Sequence, residues 1–244
     1  MSLAEVRPHI TYSLQSTSDI REHMLTFLEN HDEQRIASDF FAADAKRALA
    51  ALIVSTTIAS QPFMLYAGEE FGEKGMDKEG YSGVDGRTTI FDYWSVDTLR
   101  RRRNGGKYDT QLLTDEEKQL LEYHTRLLNL CNSENALSEG QFYDLQYANP
   151  HCDKYDSNRI YSYLRGTNDE LLLIVTNFGD TDQQCSVCIP NEAFAYYDIY
   201  PAEGNVNAVE LLTGKSIETP FTPDTTIDIN VPANNGVILK FKTK

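Results

Sequence analysis

Apolar and polar positions along this chain fall into two rhythms. From about Ile20 to Asn132, short apolar runs alternate with helical spacing. "HMLTFL" predicts a short strand. "DAKRALAALIVSTTIA" (Asp44 to Ala59) predicts a helix, with Asp44 as N-cap and Ala48, Leu49, Leu52 and Ile53 on one face. Pro62 stops it, and "PFMLYAG" predicts a fully buried strand ending at Gly68. "TDEEKQLLEYHTRLLNLC" gives the strongest helical pattern. Thr114 and Glu117 are spaced as a capping box, and Leu120, Leu121, Leu127 and Leu128 form its apolar stripe. Strand, helix, strand, long loop and helix predict a parallel pair with a right-handed crossover.

After about Gln141 the period shortens. "RIYSYLRG", "ELLLIVTNF", "QCSVCIP", "YYDIYP", "AVELLTG", "TIDINVP" and "GVILKFKTK" are separated by turn signals at Thr167-Asn168-Asp169, Thr213-Gly214-Lys215 and Asn234-Asn235-Gly236. That spacing predicts an antiparallel β-sandwich of about seven strands. The expected division is therefore 1–19 as a leader without clear elements, 20–140 as an α/β part, and 141–244 as the sandwich.

Charge narrows the partners. With 22 basic against 37 acidic residues the net charge is -15, which repels phosphate backbones and argues against nucleic acid. Neutral ligands such as sugars suit it. No apolar run approaches the roughly 18 residues of a membrane span, and the first ten residues lack the pattern of a signal peptide. The natural compartment is left open. Cys185 and Cys188 form a C-x-x-C within a predicted strand, where residues three apart face opposite ways, so free structural cysteines are expected.

The chemistry gathers at strand ends. Asn30, His31, Asp32 and Arg35 follow the first predicted strand, and Glu69 and Glu70 follow the second. In parallel α/β structures the working residues sit on such loops, and adjacent strands would bring the two tips within roughly 5–10 Å. A His-Asp pair there could orient a substrate hydroxyl, bind a metal or act as a base, while Asp32 could equally cap a following turn. The five histidines show no metal-ligand spacing. The loop from Glu69 to about Thr98 is long enough to expect function of it. The run Arg100 to Arg103 is expected to pair with local carboxylates.

These residues resemble a known family. "FLENHDEQR" resembles the last short signature of the α-amylase family (glycoside hydrolase family 13), whose core is Asn-His-Asp at the end of the seventh barrel strand. "QPFMLYAGEEFGE" resembles that family's eighth strand, "DGRTTIFDYW" the loop after it, and "TDEEKQLLEYHTRLLNL" its eighth helix. The resemblance covers about Asp19 to Lys244. It implies a partial TIM barrel, strands 7 and 8 of a (β/α)8 barrel with their helices, followed by the all-β antiparallel sandwich.

The resemblance also implies roles. Asp32 matches the aspartate that holds sugar hydroxyls in the cleavage subsite, and His31 the histidine that donates to the same region. Such contacts strengthen as an oxocarbenium-like transition state forms and are worth on the order of 3 kcal/mol of barrier each. Asn30, Arg35 and Glu70 are the accompanying substrate-binding candidates, Arg35 by orienting Asp32 or the adjacent loop. Tyr66, Gly68 and Glu70 match the eighth-strand pattern, where support of the structure is expected. The implied ligand is an α-glucan or maltooligosaccharide, with no organic cofactor and with calcium left open.

A whole barrel needs roughly 250 residues, and no Arg-x-Asp nucleophile signature or matching acid glutamate occurs here. A fragment that carries the helper pair without the two reacting carboxylates is expected to be inactive alone, and to self-associate through exposed barrel edges. The second function class is carbohydrate binding without catalysis, with Tyr161, Tyr163, Tyr196, Tyr197 and Tyr200 of the sandwich as stacking candidates that could equally pack its core.

Overall fold

The computed structural model describes residue 12 and residues 16–77, 84–88, 96–150, 152, 154–201, 204–223 and 225–242. Most of the 1–19 leader, parts of the Glu69–Thr98 loop and Trp94 lie outside these residues. No described helix is long and apolar enough to cross a membrane.

The first half is built on a small parallel pair, β1 (Thr26–Phe27) and β2 (Phe63–Met64), in register Thr26 to Phe63. Between them Asp44 accepts a hydrogen bond from the Lys46 N–H (2.9 Å) and opens a 3-10 turn, Ala45–Ala48, that runs into helix α1 (Leu49–Thr57). The N-cap is where the sequence puts it, but the one-sided face is not. Ala50, Leu52, Ile53, Val54, Thr56 and Thr57 are all buried, because α1 is covered on more than one side. The strand at Phe63 is shorter than expected and only half-buried. Among the described residues its one partner is β1, so it lacks the cover that full burial requires.

Two helices follow, α2 (Asp97–Arg103) and α3 (Asp115–Ser133). Thr114 and Glu117 close the capping box reciprocally, at 3.2 and 2.8 Å. The buried face of α3 carries Glu117, Leu120, His124 and Leu127, with Leu121 and Leu128 on its shoulder. The arginine run is absorbed locally: Arg100 meets Asp97 at 3.7 Å, and Arg101 forms an ion pair with Glu117. A short helix, α4 (Asn135–Ser138), leads into the sandwich.

The sandwich has a six-stranded antiparallel sheet in the order β3-β4-β5-β10-β7-β8, facing a two-stranded sheet β6-β9. The strands are β3 (Gln141–Asp144), β4 (Ile160–Gly166), β5 (Glu170–Asn177), β6 (Gln183–Cys188), β7 (Asn205–Glu210), β8 (Lys215–Pro220), β9 (Thr226–Val231) and β10 (Asn235–Lys242). Two of these do not stand out in sequence: β3 is only four residues long, and β8 is mostly polar. The segment around "YYDIYP" is not a strand: helix α5 (Asn191–Tyr197) starts at Pro190 and ends on Asp198 in the left-handed conformation (φ 54°). Cys185 is buried, Cys188 half-buried, and neither forms a disulfide.

One core fills the space between the sheets, with Leu171, Leu173 and Val175 of β5 against Cys185 and Val187 of β6 and Ile227 and Ile229 of β9. The alternate residues of the same strand, Leu172 and Ile174, enter a second core on the outer face. There Tyr161, Tyr163 and Ile238 pack against Leu52, Ile53 and Val54 of α1, Ile58 at its C-cap and Leu127 of α3. This is why "LLLIV" is apolar throughout rather than alternating: β5 is covered on both faces. Gly236 permits the close approach, since a Cβ there would lie 2.8 Å from the Ile53 side chain. Thr57 and Tyr163 share a hydroxyl bond of 2.6 Å, and Tyr123 donates to Asn235 Oδ1 at 2.5 Å. Arg165, 2 % exposed, reaches from β4 to Ile58 O (3.0 Å), Ala136 O (3.1 Å), Leu137 O (2.8 Å) and Ser60 Oγ (2.8 Å). It binds the sheet to both α1 and α4.

Candidate functional site

The polar tip after β1 is a braced turn. Asn30 Oδ1 accepts from the N–H groups of Asp32 (2.8 Å) and Glu33 (3.0 Å), so Asn30 shapes the backbone instead of offering its amide oxygen outward. The turn presents His31 and Asp32 side by side, Nε2 to Oδ1 3.5 Å, with side chains 49 % and 78 % exposed. Together they offer a carboxylate and an imidazole to a ligand arriving from solvent. Beside them Gln34 donates to Asp85 O (3.2 Å), and Arg87 is held by Asp85 at 2.6 Å. Asp85 raises the Arg87 guanidinium most strongly, with smaller contributions from Asp32 and Glu33.

Arg35 turns the other way. Its side chain is 1 % exposed and pairs with Glu29 at 2.7 Å. It also donates to Ala67 O (2.6 Å) and from Nε to Thr88 Oγ1 (2.9 Å), and its guanidinium lies 4.1 Å over the Tyr66 ring. Tyr66 donates to Thr88 O (2.9 Å), and the Arg35 N–H donates to Gly86 O (2.6 Å). Glu29 uses its second oxygen on the Ile36 N–H (2.7 Å). Arg35 and Glu29 thus fasten the ends of β1 and β2 and the 84–88 segment to one another, and leave Arg35 no donor for a ligand in the open. Burial pushes the Glu29 carboxyl up, opposed by the charge and hydrogen bond of Arg35.

The second tip is built by Gly68, whose φ of 100° turns β2 into the 3-10 turn Glu69–Phe71. Glu70 bends back to accept from the Gly68 N–H (2.9 Å), and burial raises its carboxyl. Glu69 is 6 % exposed. One of its oxygens accepts weakly from the Tyr66 N–H (3.4 Å), and the other, Oε1, has no hydrogen-bond partner among the described residues. Burial first, and the neighbouring Glu29 second, push it up to about 8. Glu69, Glu29 and the buried His124 border a cavity of about 10 Å³, roughly the room of one water.

The two tips are therefore joined through buried groups, while of the predicted strand-tip residues His31 and Asp32 stand in solvent and Asn30 and Glu70 are half-buried. A cavity of about 560 Å³ lies elsewhere, between Asp44, Glu73, Asp97, Arg101 and Glu117, and neither His31 nor Asp32 borders it. No cluster of three or more metal-ligating side chains occurs among the described residues. Glu29 and Thr88 were not singled out from sequence. A glutamate closing an apolar run, six residues before an arginine, was the available signal for the first.

Residues 153–242 match the family model described as the alpha amylase, C-terminal all-beta domain. The sandwich is similar to the C-terminal all-beta domain of α-amylases. Over the whole chain the likeness is to the C-terminal portion of α-amylase-family proteins. Alpha-amylase SusG of Bacteroides thetaiotaomicron is 28 % identical over 162 residues, covering 65 % of this α-amylase-like chain and 23 % of that protein. Among solved structures, a maltogenic α-amylase, AmyB from Thermotoga neapolitana, matches with a TM-score of 0.63 at 17 % identity, covering all of this chain and 47 % of that one. The α-amylase from Geobacillus thermoleovorans, solved in complex with acarbose, matches with a TM-score of 0.63 at 16 % identity, over all of this chain and 44 % of that one. The α-amylase-like chain spans less than half the length of these relatives.

Proposed function

We propose that residues 20–140 are the last two βα units of a (β/α)8 barrel and that the His31–Asp32 pair grips the hydroxyls of an α-glucan there. The observation that carries this is the Asn30-braced turn at the C-terminal end of a parallel strand, holding an exposed carboxylate and imidazole 3.5 Å apart. Asp32 accepts from vicinal sugar hydroxyls and His31 donates to the same region, contacts that tighten as positive charge builds on the ring. Arg35 acts with Glu29 as a positioning pair under the turn, and Glu70 by bracing the second tip. The whole enzyme is a retaining hydrolase or transglycosylase of starch-like substrates. Retention needs two carboxyl groups about 5 Å apart flanking the bond, and the open turn supplies one carboxylate that is neither nucleophile nor acid. By itself the chain holds a sugar without turning it over, and it pairs with copies of itself through the open edges of β1 and β2.

The test is maltotriose titration of the full chain, followed by the imidazole signals of His31 and by release of reducing ends. Line shifts at His31 that disappear in Asp32→Asn, with no turnover, are expected. Hydrolysis that Asp32→Asn abolishes would refute the helper role, and a His31 signal blind to sugar would refute the site.

A further inference from the structure

We propose a second glucan-binding platform on the sandwich, formed by Tyr143, Tyr147 and Tyr196, far in sequence from the strand-tip pair. It rests on the preceding proposal only for the class of ligand. Of the five tyrosines that the sequence offered for stacking, Tyr161, Tyr163 and Tyr197 are buried. Tyr196 is 49 % exposed, and its real companions come from β3 and the turn after it.

Tyr143 on the outer strand β3 is the centre. Tyr147 leans on it from one side, centroids 6.2 Å apart and planes at 54°, and Tyr196 of α5 from the other, at 5.3 Å and 56°. Tyr147 is 59 % exposed. The three rings make an angled surface, not a flat one, with Tyr197 edge-on beneath Tyr196 at 5.0 Å.

The rings are fixed in advance. Tyr143 and Tyr147 share a hydroxyl bond of 2.5 Å, Tyr196 donates to Gln141 Oε1 at 2.5 Å, and Tyr197 donates to the Gln141 carbonyl at 2.8 Å. A ligand meeting them therefore forfeits little side-chain freedom on their side. Tyrosine presents an apolar face with a polar edge, which matches a pyranose ring with C–H faces and hydroxyl rims. Charge selects against other occupants. The Glu192 carboxylate adds negative potential at Tyr143, and the chain carries -15 overall. An anion is repelled. A neutral, hydroxylated, curved chain of sugars fits the angled rings.

Calorimetric titration with maltoheptaose on the full chain, in the Asp32→Asn background, reads this platform apart from the strand tip. Binding is expected to persist there, to weaken about tenfold or more on adding Tyr147→Ala with Tyr196→Ala, and to stay within about twofold with Tyr196→Phe, which keeps the ring. Unchanged melting of these surface variants confirms that they fold. Absence of binding up to about 10 mM sugar, or equal affinity with and without the two rings, would overturn the platform. If Asp32→Asn alone removes all binding, the platform fails and the strand-tip proposal stands. If Asp32→Asn changes nothing while the tyrosine variants do, the reverse holds.

Discussion

Glu69→Gln is expected to stabilise this chain at neutral and alkaline pH and to leave it nearly unchanged in acid. Glu69 is 6 % exposed, its Oε1 is unpartnered, and its carboxyl sits at about 8 instead of 4.5. The folded state therefore holds a proton that the unfolded chain releases. For a carboxyl raised in this way stability is greatest below the unfolded value. It falls as pH climbs from 4.5 to about 8, by about 1.4 kcal/mol per pH step and about 5 kcal/mol in all. At pH 7 the loss is about 3 kcal/mol, and rearrangement or water entry would make it smaller. An amide cannot ionise. Its oxygen can accept from the Tyr66 N–H while its NH₂ faces the small cavity beside His124. Urea unfolding of both chains at pH 5, 7 and 8.5 measures the difference directly, because Glu29 and Glu70 are common to both. A gap that widens with pH supports the argument. Parallel curves would mean that Glu69 is ionised and hydrated in the folded protein, and would remove the physical basis for a buried proton at the second tip.

Arg165→Met takes one donor group away from Ile58 O, Ala136 O, Leu137 O and Ser60 Oγ. Stranded buried acceptors cost about 1–3 kcal/mol each, so a loss of about 3 kcal/mol or more is expected in denaturant unfolding, and a change under about 0.5 kcal/mol would refute the linchpin role. Arg35→Met leaves Glu29 charged and buried, a loss of about 3–5 kcal/mol at pH 7. Stability should return as the medium is acidified, since Glu29 is then protonated, and also in the double variant Arg35→Met/Glu29→Leu. Additive losses in the double variant would count against the pair acting as a unit.

Much of the fold was written in local patterns. The capping box at Thr114 and Glu117 and the N-cap at Asp44 are interactions within a few residues, so spacing alone finds them. Six of the seven apolar segments after Gln141 are strands for the same reason. The seventh became α5 because Pro190 and Asp198 bracket "NEAFAYY" with helix-compatible ends, a tertiary choice between two acceptable periods. Burial was less legible. Nothing near Phe63 says how many neighbours its strand has, and nothing near Leu172 says that a helix will cover it. Arg35 illustrates the same limit at the site. Its position beside His31 and Asp32 in sequence suggested a common direction, whereas a one-sided turn sends neighbouring side chains to opposite destinations. The tyrosine platform draws on Tyr143, Tyr147 and Tyr196, about 50 residues apart in the chain, and only the folded arrangement brings them together.

The outer core has a practical meaning for anyone dissecting this protein. The match to the domain family starts at residue 153, which invites excision of the sandwich as a free-standing module. Such a cut would strip α1 and α3 from Tyr161, Tyr163, Leu172, Ile174 and Ile238 and turn an interior into a wet, sticky surface. Kinship by descent and autonomy in folding are drawn along different lines here, and expression trials should follow the second.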